Sequence, residues 1–97
     1  MEIKIKSLKF DADQKLVAYV EKKVSKLERF HDGANEVDVV LSLLQEPDNK
    51  SCKLQIHVPG DEFIIDRHAR TFEEAVTDAV DAMKEKLTRA KEKRNEQ

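Results

Sequence analysis

The residue types that could do chemistry here are mostly cations, and their spacing sorts them. Lys15, Lys22, Lys26 and Arg29 stand within one predicted helix, about 100° apart per residue. With Lys15 at zero, Lys22 falls near −20°, Lys26 near +20° and Arg29 near −40°, about 100–180° away from Leu16, Val20, Val24 and Leu27. Lys23, near 80°, sits at the edge of the apolar face and can extend its ammonium outwards. Glu21 and Glu28 fall on the other side of that face. Solubility alone is served equally well by interspersed Glu–Lys pairs. A sorted basic stripe suits an anionic partner met over a surface.

The last helix repeats the pattern near its end. With Phe72 at zero, Lys86 lies near −40°, Lys93 near −60° and Arg89 near −100°, a basic flank beside an apolar face of Phe72, Val76, Val80, Met83 and Leu87. Glu74, Asp78, Asp81, Glu85 and Glu92 take the outward side. Lys91 and Arg94 can be explained by the helix dipole, which favours cations in a last turn.

Other chemistry is poorly supplied. His31, His57 and His68 lie on separate segments and form no metal-ligand pair. Cys52 alternates with Leu54 and Ile56, as a small buried hydrophobe would. Asp66 and His68 could orient an imidazole, and a hydrolase reading would need them to converge with Cys52. Two glycines leave no phosphate-binding loop and no dinucleotide fingerprint. Neither catalysis nor a cofactor, metal or small-molecule substrate is expected.

Composition agrees with this. The chain has 97 residues, so a single domain over 1–97 is expected, with a frayed tail from about residue 95. Apolar and charged residues make up 39% each, and the net charge is −2. That small number hides a division: residues 1–31 carry +3, residues 32–83 carry −8 and residues 84–97 carry +3. No apolar run approaches the roughly 20 residues of a membrane span. The charged and apolar alternation of "MEIKIKSLKF" is unlike a signal peptide, and a lone cysteine suits a reducing compartment, so the cytoplasm is expected.

The elements that position the cations follow from periodicity. Ile3 and Ile5 mark a short strand, expected to bulge or end near Ser7, where the parity changes. "DADQKLVAYVEKKVSKLERF" predicts a helix capped by Asp11 or Asp13 and stopped at Gly33. "EVDVVLSLL" and "SCKLQIHV" alternate as strands, and Pro59-Gly60 turns the chain into a further strand, "EFIID". Thr71 and Glu74 form a capping box before a helix from about Phe72 to Arg94. The order β-α-β-β-β-α predicts an α+β domain: one four-stranded sheet, both helices on one face, the other face carrying Lys53, Gln55 and His57.

That order, with the helix "YVEKKVSKLERF", the strand "VDVVLSL" and the helix "AVTDAVDAMKEKLTRAKEK", resembles the ribosome hibernation-promoting factors in their short form, related to the ribosome-associated inhibitor A proteins. The resemblance covers nearly the whole chain, and "K-x-x-K-L-x-R", Lys23 to Arg29, is its most specific part. It implies a fold similar to double-stranded-RNA-binding domains. It also implies a protein that binds the small ribosomal subunit and its rRNA in the mRNA and tRNA channel, and blocks translation in starvation or stationary phase. Lys23, Lys26, Arg29 and Arg89 match the family's rRNA-contacting positions; Lys22, Lys86 and Lys93 are added by helical geometry. The family often has bases where this chain has Ala82 and Glu85, and "TFEE" departs from its usual helix start. A monomer off the ribosome is expected. The alternative is a protein-interaction domain acting through the exposed sheet face.

Overall fold

The computed structural model describes residues 1–45 and 47–95, with side chains as far as Glu92. The elements are β1 (Glu2–Leu8), α1 (Gln14–Ser25), a 3-10 segment (Lys26–Phe30), β2 (Glu36–Leu43), β3 (Lys50–Val58), β4 (Asp61–Ala69) and α2 (Phe72–Asn95). They form one sheet in the order β1-β2-β3-β4. β1 and β2 are parallel and the other pairs antiparallel. A parallel pair requires a crossover, and α1 with its 3-10 extension provides it.

Strand alternation divides the sheet into two chemistries. On the helix side, Ile3, Val37, Ile56 and Phe63 stand in one row and Ile5, Val39, Leu54 and Ile65 in the next. The open side is wet, with Lys4, Asp38, Gln55 and Ile64 in register. There Lys4 pairs with Glu36 at 2.8 Å, and His57 lies 3.0 Å from Asp38 and 3.4 Å from Glu62. Glu36, Asp38, Glu62 and Asp66, four acids of the acidic middle segment, therefore stand on the sheet's outer face.

β1 ends near Ser7, one of the two outcomes that the parity change allows. It pairs with β2 without a bulge as far as Leu8, which stays on the open face at 40% exposure. The parity change comes after the strand, where Lys9 takes a left-handed φ of 73°. Phe10 is thereby delivered to the helical layer, where it stacks on Phe72 at 4.3 Å between centroids. β4 is also longer than "EFIID", so His68 belongs to the same strand as Asp66. Both lie on the open face while Cys52 is fully buried on the helix side, so the hydrolase arrangement does not assemble.

The helix starts are as the sequence predicts. The Leu16 N–H donates to the Asp13 carboxylate at 2.8 Å, and the Glu74 N–H donates to the Thr71 hydroxyl at 3.1 Å. The "TFEE" start therefore keeps its cap. The first helix ends differently: its α-turns stop at Ser25, and Gly33 is not a left-handed cap. A Cβ on Gly33 would stand 2.9 Å from the Pro59 ring and 3.2 Å from the His31 ring, so close approach is what requires glycine there. Its N–H donates to His31 Nδ1 at 3.0 Å. Gly60, after Pro59, does need its freedom, with φ at +80° in the β3–β4 turn.

The outer edge of β4 is closed by cations. Lys86 donates to the Ile64 carbonyl at 3.2 Å and Arg67 to the Asp66 carbonyl at 2.9 Å. These are acceptors that an added strand would use.

Burial pushes the Cys52 thiol up to about 12, with the nearby Asp66 carboxylate adding to it. The native thiol stays protonated, whereas an unfolded one ionises near pH 8.5–9. The expected outcome is negligible labelling by a thiol reagent below pH 9 in the native protein and prompt labelling in denaturant. Between about pH 9 and 12 the folded state holds the extra proton, so this group's contribution to stability falls as pH rises. Rapid native labelling at pH 8 would contradict the buried position.

Candidate nucleic-acid interface

The last residues of the first helix are wound more tightly than an α-helix. From Lys26 to Phe30 the chain is 3-10, with three residues per turn, so residues three apart are eclipsed. Lys26 and Arg29 therefore stand directly above one another, rather than about 60° apart as α-helical winding would place them. Their separation along the axis grows from about 4.5 Å to about 6 Å. Leu27, fully buried between them in sequence, anchors the turn in the core.

The predicted stripe divides around this turn. Lys23 and Lys26 line a groove with Leu27 and Phe30, facing Thr77, Val80, Asp81 and Lys84 of α2. The Lys23 ammonium lies 5.6 Å from the centre of the Tyr19 ring, and that of Lys84 lies 5.2 Å over Phe30. Tyr19 and Thr77 join their hydroxyls at 3.0 Å, tying the helices together at one end of the groove. Lys22 instead lines a hollow on the β1 side, with Met1, Ile3 and Glu21. Among the described residues, Lys22, Lys23, Lys26, Arg29 and Lys84 form no ion pair.

The predicted residues of α2 lie elsewhere. Lys86 reaches the β4 edge. Arg89 is held by Glu85, one turn earlier, at 2.5 Å, which offsets part of its charge where both are exposed. The side chain of Lys93 lies outside the described residues, as do Glu96 and Gln97. The cation that faces the first helix across the groove is Lys84, and Lys91 follows on the same flank two turns later, exposed. Lys86, Arg89 and Lys93, which the sequence singles out, stand on the other flank of the wheel. At about 120° and 100° on the wheel, Lys84 and Lys91 border the same apolar stripe, but a wheel does not say which border faces the other helix.

The arrangement can hold an extended anion. Two eclipsed cations on a 3-10 turn, Lys23 before them and Lys84 opposite, offer donors to successive phosphate groups without a deep pocket. Fold and surface together define a small α+β domain with a one-sided helical layer and a basic groove within it. The chain belongs to the family described as sigma-54 modulation protein / S30EA ribosomal protein, whose model matches residues 3–95. Among solved structures it is similar to the N-terminal domain of Protein Y from Thermus thermophilus, at 27% identity and a TM-score of 0.80, over 92% of this chain and 98% of that one. It is also similar in fold to a ribosomal subunit interface protein from Coxiella burnetii, at 17% identity and a TM-score of 0.81, over 94% and 98%. A search of curated proteins gives no match.

Proposed function

We propose that the chain binds the small ribosomal subunit in the channel that holds mRNA and tRNA, and silences translation by occupying it during starvation or stationary phase. The observation that carries this reading is a set of cations, Lys23, Lys26 and Arg29 with Lys84 across the groove, that form no ion pair among the described residues, in a chain of this family. The reading is supported by the description of one relative as a ribosomal subunit interface protein. The chain acts by occlusion as a single cytoplasmic domain, a monomer off the ribosome, without a cofactor and without covalent change to its target. Lys22, Lys86, Arg89 and Lys93 contribute at the margins of the contact.

The test is co-sedimentation with purified small subunits across a salt series. Four phosphate contacts, each releasing a counterion, predict a fall of roughly a hundredfold in affinity between 50 and 200 mM salt. Binding that ignores salt, or that follows the large subunit alone, would overturn the reading. A second reading, a protein partner on the open sheet face, is favoured by Ile64, which stands 43% exposed on that face. A pull-down that survives both nuclease and high salt would select it.

A further inference from the structure

The groove between the helices has features that phosphate contact does not use. Its floor is apolar, made by Leu27, Phe30 and Val80, and its volume is about 160 Å³. That is well below the roughly 300–1,000 Å³ of small-molecule sites, so its occupant is a single flat group. Its rim carries three ammonium groups, and its one carboxylate, on Asp81, forms no hydrogen bond or ion pair among the described residues. A grip on phosphates alone would be weakened by that carboxylate and would gain nothing from an apolar floor.

We propose that this groove receives one unstacked guanine of the bound RNA, its ring against Phe30 and its Watson–Crick edge on Asp81. This rests on the RNA-binding reading above and adds base selection to it. Single-stranded bases are held by stacking on aromatic rings and by hydrogen bonds to that edge. Guanine presents two adjacent donors there, N1–H and the N2 amino group, which match the two oxygens of a carboxylate. Adenine and cytosine present one amino donor beside an acceptor, and uracil one N–H between two carbonyls, so each turns a lone pair towards Asp81. The phosphates on either side of the guanine meet Lys23 and Lys26. Lys84 now covers Phe30 at 5.2 Å; it leaves the ring as the base enters and turns its ammonium to the same backbone. That exposed cation–π contact is weak enough to be exchanged. The Tyr19–Thr77 bond closes the far end, so the base enters from the Lys26 side.

The experiment measures binding of four five-nucleotide RNAs, uridine except for a varied central base, to the full chain by fluorescence anisotropy. The central guanine is expected to bind about tenfold more tightly than the other three, the scale of one good bidentate contact. Asp81→Asn, at an exposed position, removes that preference while the variant still co-sediments with small subunits at low salt. Phe30→Leu weakens all four RNAs together, because stacking tolerates any base. Equal affinity for the four RNAs, no binding of any of them, or a guanine preference that survives Asp81→Asn overturns the proposal. If wild-type chain still co-sediments in those cases, the ribosome reading stands without base selection. Failure of wild-type chain to co-sediment overturns the ribosome reading whatever the oligonucleotides do.

Discussion

Replacing Lys23, Lys26 and Arg29 together with glutamate is expected to abolish co-sedimentation with the small ribosomal subunit at physiological salt. Removing one phosphate-binding cation lowers the salt slope by about one, so neutral glutamines at the three positions should already flatten it by about three. Glutamates go further, because each turns a released counterion into a repulsion. This effect is separable from unfolding. Lys26 and Arg29 are exposed, and none of the three forms an ion pair among the described residues. The stability costs are the Lys23–Tyr19 contact, about 1 kcal/mol between two half-buried side chains. To that is added about 0.3–1 kcal/mol for each anion placed near a helix C-terminus. Thermal melts of the glutamine variant should therefore stay close to wild type. A triple glutamate variant that co-sediments as wild type does would remove this face from the contact.

The largest effect on stability is expected at Leu27. It is completely buried, and it seats the 3-10 turn against α2. Leu27→Ala removes three heavy atoms from a packed site and costs about 2–5 kcal/mol, depending on how far the turn collapses into the space. A domain of this size has only about 5–15 kcal/mol in total. At about 4–8 °C per kcal/mol the melting temperature falls by roughly 8–40 °C. Denaturant unfolding should show a lower midpoint with an unchanged slope. Because Leu27 lies between Lys26 and Arg29 in sequence and fixes their turn, RNA binding should weaken in step even where the variant remains folded. A cost below about 1 kcal/mol would mean that the turn is held by something other than this side chain.

The fold was largely legible because its signals are local and redundant. Val37, Val39 and Leu41 alternate as cleanly in sequence as in the sheet, and Asp13 and Thr71 cap their helices through hydrogen bonds that any sequence reading can anticipate. The site was legible in its residue types and less so in their directions. A helical wheel assumes one pitch, so it missed the change at Lys26 that eclipses Lys26 with Arg29. It also treats the two borders of an apolar stripe as equivalent, so it does not say that Lys84 is the cation facing the first helix. Where a long side chain ends depends on neighbours distant in sequence. Lys86 ends on a β4 carbonyl 22 residues away, a partner that no periodicity in α2 reveals. The left-handed turn at Lys9 is equally out of periodicity's reach: a parity shift near Ser7 is met either by a bulge or by the end of the strand, and here the strand ends, at Leu8.

The closed rim of β4 has a consequence for crowded conditions. Sheets that grow by recruiting further copies need two receptive sides on each molecule, one to accept a neighbour and one to be accepted. With Lys86 and Arg67 engaging two of the carbonyls along one side, β1 is the other border of the sheet among the described residues. Joining through β1 alone ends at a pair, because the pair has no second β1 to offer. A copy that joined through β1 would end at a pair whose outer borders are two β4 strands with the Ile64 and Asp66 carbonyls already engaged.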